Sequence, residues 1–339
     1  YTFDDVLLQP QFSNLTSRRH VDTSSKLVAG LSLKTPIVAS NMDTVCESDM
    51  AIRMAELGGI GIIHRYLSVE DQVAEVTRVK THLNFILSNP YQIKLTESLD
   101  SAVDIMVEKN VSSLLVVDET ETFCGILGLK DATYVAGALS RYQVADVMVG
   151  LTDVITTTPS VTKSEALDLM QNQRIGKLPV LNEAGKIYGL ITRKTLNREE
   201  LHLDATKDAK GQLAVGAAVG VIGDYLTRVK YLIRAGVDVV VLDIAHGHSI
   251  MSIKAIKAIK AEFDIPVIAG NVATAAGAKA LADAGADGIK VGVGPGSICT
   301  TRIVTGHGVP QLTAIIEACS AVDVPVIADG GIRKSGDVV

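Results

Sequence analysis

The chain has 339 residues, 47% of them apolar, with 29 glycines, no tryptophan and a formal net charge of −6. That length and apolar content suit two α/β domains, each with a core of its own. The acidic balance, with no dense Lys/Arg block, argues against a nucleic-acid surface, and no apolar run is long enough for a membrane-spanning helix.

From the N-terminus, the pattern predicts a strand at 36–40, a helix at 50–57 and a strand over Ile60–Ile63 that runs into His64. Residues from about 82 to 199 then follow another rhythm. Segment 102–106 (AVDIM) aligns with 166–170 (ALDLM), 114–117 (LLVV) with 178–181 (LPVL), and 125–127 (GIL) with 189–191 (GLI), at a constant offset of 64 residues. Each copy reads helix, strand, turn, strand, helix. A two-copy module inserted in a loop of the surrounding domain is the expectation, because loops tolerate insertions.

After residue 200 the strand–helix alternation returns. Segments 237–243 (VDVVVLD), 265–270 (IPVIAG), 287–293 (DGIKVGV) and 324–329 (VPVIAD) are short, β-branched and nearly continuous in apolar character. Such runs read as parallel strands buried on both faces. Ala-rich helices lie between them, with Ala-Gly terminators at 235–236 and 284–285. The phrase DIPVIA at 264–269 returns as DVPVIA at 323–328, and a repeated β/α unit points to a (β/α)8 barrel. Asp243, Asn271, Cys299 and Asp329 all fall at or just after C-terminal strand ends, where a barrel keeps its active site. The expected domains are therefore 1–81 and 200–339 as barrel, with 82–199 as the insert.

The densest chemistry lies in 290–302 (KVGVGPGSICTTR). Alternating glycines let backbone N–H groups approach an anion, Ser297 adds a donor suited to phosphate, and Cys299 is then held over the anchored ligand as a nucleophile. The competing reading is a cysteine used only for packing. Cys46, Cys124 and Cys319 are assigned to structure; without CxxC pairing, the four thiols suit a reducing cytoplasm. His246 and His248 read equally as solvated loop residues or cofactor contacts, and their spacing without a carboxylate does not suggest a metal. Asp329 alone would also read as a helix cap, and Ser40 and Met42 as strand-end packing.

The segments FDDVLL (3–8), MDTV (42–45), GGIG (58–61), DIAHGHS (243–249), GNVAT (270–274), the cysteine loop and DGGI (329–332) together resemble the IMP dehydrogenase/GMP reductase family across the whole barrel portion. The insert resembles a tandem of cystathionine-β-synthase-type (CBS) domains, a Bateman module. The resemblance implies a purine nucleoside monophosphate substrate, with its phosphate on Ser297, Gly330 and Gly331, its ribose on Asp329, and Ser40 and Met42 lining the pocket. It implies Cys299 as nucleophile at purine C2 assisted by Thr301, with Asp243, Asn271 and Gly292 meeting NAD. It further implies a K+ ion on the carbonyls of Gly294, Gly296 and Cys299, and a cytoplasmic homo-tetramer.

The resemblance leaves two activities open: NAD-dependent oxidation of IMP to XMP, and NADPH-dependent reduction of GMP to IMP. Asn41 and Ser17-Arg18 look like the reductase; Ala245-His246-Gly247-His248, 271–274 and 331–336 look like the dehydrogenase. A nucleotide sensor without activity is the distant alternative. CBS repeats that bind adenine nucleotides often end in Gly-x-x-Thr-x-x-Asp; here one copy has Gly128 and Asp131, the other Thr192 and Thr195, neither complete, so an adenine or guanine nucleotide is only weakly implied for the module. The family's initiator segment, later phosphate-binding glycines and mobile flap with its Arg-Tyr pair are expected outside Tyr1–Val339.

Overall fold

A computed structural model describes residues 1–133, 135, 139–196 and 202–339. The chain divides into two compact units, one of Tyr1–His82 with His202–Val339 and one of Leu83–Leu201. The expected boundary at 199–200 lies outside the described residues.

The first unit is built on seven parallel strands: β1 (Val38–Ala39), β2 (Ile60–Ile63), β3 (Val215–Val219), β4 (Val239–Asp243), β5 (Val267–Val272), β6 (Gly288–Val291) and β7 (Val326–Ala328). Their order in the sheet is their order in the chain. A doubly wound sheet reverses direction at a switch point; this one never does. Helices Ser48–Glu56, Val69–Thr81, Tyr225–Ala235, Ile250–Glu262, Ala275–Asp283 and Gln311–Ala321 follow β1 to β6 in turn. β4, β6 and β7 are two or three residues shorter than their apolar runs, and β5 is displaced two residues towards the C-terminus, because the run ends turn into loops.

The sheet curls strongly. In a flat sheet at a spacing of about 4.8 Å, strands five places apart would be about 24 Å apart. Yet Lys290 of β6 donates to Asn41, two residues past β1, at 3.1 Å. Alternate residues Ile60 and Ile62, Val239 and Val241, with Ile268, turn inward and join Leu27, Val28, Leu31 and Leu33 in one cluster. Those leucines come from an antiparallel pair, Ser25–Val28 with Leu31–Leu33. Each such buried aliphatic side chain contributes roughly 2 kcal/mol. The other faces of the same strands, including Ile63, Val240 and Leu242, are buried as well, as a sheet covered by helices requires.

The second unit carries the 64-residue repeat into three dimensions. Helix Leu99–Glu108, strands Ser113–Val117 and Phe123–Gly128 and helix Leu129–Thr133 recur as Lys163–Asn172, Lys177–Leu181, Ile187–Thr192 and Arg193–Leu196. The copies exchange edge strands. Ile86–Leu87, which precedes the first copy, pairs with Ile187–Thr192 of the second, while Val149–Gly150, between them, pairs with Phe123–Gly128 of the first. Leu115, Phe123 and Leu190 form a small core shared by both.

Candidate active site

Cys299 lies in the loop between β6 and the short helix Thr301–Thr305. Its Sγ is 3.3 Å from Thr301 Oγ1, and its N–H donates to Gly296 O at 3.0 Å. The Thr301 side chain and N–H, with Gly294 and the Arg302 charge, favour the thiolate over a small opposing burial effect, so the thiol titrates below its ordinary value. The other cysteines go the opposite way. Burial pushes Cys46 up to about 11, and burial also raises Cys124 and Cys319. A partly exposed thiol with a lowered pKa is the condition for nucleophilic chemistry; only Cys299 meets it.

Asp329, immediately after β7, is the second centre. Its Oδ2 accepts from Lys290 Nζ and from Asn271 Nδ2, both at 2.8 Å. Burial alone would raise this carboxyl, but the Lys290 charge and the two hydrogen bonds outweigh it and hold it below the usual carboxylate range. Asp329 caps no helix: the next one, Ser335–Val338, starts after Lys334. Gln311 Nε2 donates to Val291 O at 2.8 Å and to Asp329 O at 3.2 Å, tying the ends of β6 and β7 together. Gly292 is buried beneath the same point, where a Cβ would collide with the Asp329 carbonyl. Its own carbonyl accepts from Asn271 Nδ2 at 2.8 Å.

Around the rim, Arg65, two residues past β2, donates through Nε to Asp243 Oδ2 at 2.9 Å at the end of β4. Buried His64 places Nε2 at 3.2 Å from Glu47 Oε1. His246 and His248 are exposed on the loop after β4, their rings 6.4 Å apart.

A cavity of about 900 Å³ opens between the edge strands β1 and β7. It brings together Ser40, Met42, Ser297, Asp329, Gly330 and Gly331, separated by up to 291 positions in the chain. Gly330 has a φ of +86°, and a Cβ there would stand 2.9 Å from Gly296 N, so the Asp329 turn packs directly on the cysteine loop. Cys299 follows Ile298, which lines the wall; Cys299, Thr301, Asp243, Asn271 and Gly292 are not themselves wall residues.

Among the described residues, no group of three or more His, Cys, Asp or Glu could hold a metal. The carbonyls of Gly294, Gly296 and Cys299 are neutral oxygens on one short loop, a set that fits a monovalent ion better than Zn2+ or Mg2+. Gly296 O already accepts one hydrogen bond and keeps a second lone pair. In the other unit, Asp131 Oδ2 accepts from Gly128 N at 2.9 Å, and Thr195 Oγ1 from Thr192 N at 2.9 Å. Both side chains therefore serve their own backbone turns.

Sequence reading did not single out Lys290, Arg65 or Gln311 as site residues. Lys290 had a signal: a lysine inside an apolar strand must find a partner for its charge. Gln311 had none, since it sits at the start of a helix distant from any motif.

The fold and site define an α/β protein with an activated thiol and a paired carboxylate at the C-terminal ends of parallel strands. A family model described as the IMP dehydrogenase / GMP reductase domain matches residues 1–339. The chain is 48% identical to the inosine-5′-monophosphate dehydrogenase of Nitrosopumilus maritimus, over 99% of this chain and 70% of that protein. It is 44% identical to the GMP reductase of Leishmania major, over 99% and 70% respectively. A crystal structure of a GMP reductase variant from Trypanosoma brucei in complex with guanosine 5′-monophosphate superposes with a TM-score of 0.85 at 41% identity, covering 99% of this chain and 72% of that one. The chain belongs to the IMP dehydrogenase/GMP reductase family.

Proposed function

We propose that the protein catalyses NAD-dependent oxidation of IMP to XMP through a covalent adduct on Cys299. The observation that carries this is the lowered thiol beside a cavity whose opposite turn holds the ionised Asp329. Ser297 and the Gly330-Gly331 turn anchor the 5′-phosphate. Asp329 uses the oxygen not engaged by Lys290 and Asn271 to accept from ribose hydroxyls, while Ser40 and Met42 flank the base. Cys299 Sγ adds to C2 of the hypoxanthine ring, with Thr301 Oγ1 stabilising the thiolate beforehand. The C2 hydride departs, leaving a thioimidate on Cys299; water then releases XMP and returns the thiol.

A bound nicotinamide dinucleotide supplies the hydride acceptor. Asp243 suits its ribose hydroxyls, because Arg65 donates to only one of its oxygens; Asn271 and Gly292 lie on the path from Asp243 to Asp329. A potassium ion on the carbonyls of Gly294, Gly296 and Cys299 would order the cysteine loop. The seven-stranded unit is of (β/α)8-barrel type, in a cytoplasmic homo-tetramer. Residues 82–199 act as a CBS pair that takes an adenine or guanine nucleotide; a GMP reductase relative from Trypanosoma brucei has been solved in complex with guanosine 5′-triphosphate.

The second reading is NADPH-dependent reductive deamination of GMP to IMP with the same Cys299. Asn41 favours it, as do the solved GMP reductases at 41% identity; the 48% identity to two IMP dehydrogenases favours the first. Absorbance at 340 nm separates them in parallel reactions containing K+, one with IMP and NAD, the other with GMP and NADPH. A rise in the first alone supports oxidation. A fall in the second alone overturns it in favour of reduction.

A further inference from the structure

We propose that Asn41 is a positioning residue for nucleotide binding: by holding Lys290, it keeps the Asp329 carboxylate turned for the ligand's ribose. The inference rests on the nucleotide reading of the site and holds for either direction of the chemistry.

Asn41 and Lys290 are both buried, 7% and 8% exposed. A buried ammonium has three N–H donors to satisfy. One goes to Asp329 Oδ2 at 2.8 Å and one to Asn41 Oδ1 at 3.1 Å. Asp329 Oδ2 also takes Asn271 Nδ2 at 2.8 Å, so that oxygen is fully engaged and the other is the one left for a ligand. The amide of Asn41 is suited to this task. Its oxygen accepts from the ammonium at 3.1 Å, whereas an apolar side chain would leave a buried donor unmet.

The location adds a second reason. Asn41 comes from the β1 edge, Lys290 from β6 and Asp329 from β7, and β1 does not pair with β7 among the described residues. The contact therefore links the end of β1 to two strands with which it does not pair. Just inside it is a cavity of about 40 Å³, lined by Ser40, Asn41, Lys290 and Asp329 on one side and by Ile62, Val241 and Ile268 on the other. A small void beside Lys290 means packing alone does not hold the side chain; its contacts to Asp329 and to the Asn41 oxygen do.

The test compares Asn41→Leu, which keeps the volume but removes the acceptor, with Asn41→Asp, which retains one. Calorimetric Kd values for IMP and GMP, kcat and KM are measured on the full-length protein, with thermal melts as a control. Asn41→Leu is expected to weaken nucleotide binding roughly fivefold to tenfold and raise KM by the same factor, with kcat changed less than twofold. Asn41→Asp is expected to recover most of the affinity. Equal losses in both variants, or a lower melting temperature with unchanged Kd, would overturn the proposal. If the unsubstituted protein binds neither nucleotide, it is the functional reading that fails, and that result is obtained first.

Discussion

Arg65 Nε and Asp243 Oδ2 stand 2.9 Å apart, joining the C-terminal ends of β2 and β4 across the intervening β3. The pair is half-open, with the Arg65 side chain 36% and the Asp243 side chain 23% exposed. It is therefore too solvated to matter much for stability, yet it orients a carboxylate at the rim. Arg65→Met is expected to lower stability by under about 1 kcal/mol and to raise the dinucleotide KM severalfold, leaving the nucleotide Kd unchanged. Steady-state kinetics with each substrate varied in turn decide it; an unchanged dinucleotide KM would show that Asp243 needs no orienting.

The four cysteines should react in an order set by pKa and access. At pH 7, iodoacetamide followed by peptide mass mapping should modify Cys299 first. Cys46, buried and raised to about 11, should stay unmodified until the protein unfolds. Thr301→Val removes the largest stabiliser of the thiolate. The pKa of Cys299 then rises, so the alkylation rate at pH 7 falls and its pH profile moves to higher pH. A profile that stays in place would assign the lowered pKa to the loop backbone or Arg302 instead.

Asp329 is more acidic in the folded state than unfolded. Its stabilising contribution is thus present above the unfolded value near 3.9 and is lost as pH falls through the folded value. Lys290→Met reverses the sign. Without the ammonium, burial dominates, the carboxyl rises, and the charged form destabilises the fold at neutral pH by about 3 kcal/mol, the low end for breaking a buried pair. The difference in melting temperature between variant and parent should be largest at pH 7 and shrink towards pH 4. A difference independent of pH would mean that Asp329 is not the group responsible.

Lys80 provides a contrast at the opposite end of the sheet. Its Nζ is 2.8 Å from Asp208 Oδ2 and 2.9 Å from Asp238 Oδ2, and Asp238 in turn accepts from Val215 N at 2.8 Å at the start of β3. Burial pushes Asp238 up despite the lysine. Lys80→Met should cost about 3–5 kcal/mol with no change in KM, because N-terminal strand ends of such folds serve stability. A change in KM without a change in melting temperature would contradict this division of labour.

By itself, the sequence determined the periodicities. β-branched runs separated by Ala-rich helices and closed by Gly236 and Gly285 dictate parallel strands in chain order, and the 64-residue offset recurs at both ends of the paired strands and of the first helix of each copy in the second unit. It also marked Cys299, because glycines at alternate positions around a thiol are a local pattern. The tertiary structure decided which side chains meet. Asn41 and Lys290 are 249 positions apart, and no local rule links them; only curling of the sheet brings β1 against β6. The same curl gives Lys290 a carboxylate and an amide to share its charge, and so turns an awkward lysine in an apolar strand into the centre of the site. The physical reason is range: hydrogen-bonding and turn preferences act over a few residues, whereas a buried charge must be neutralised by whatever the completed fold places beside it.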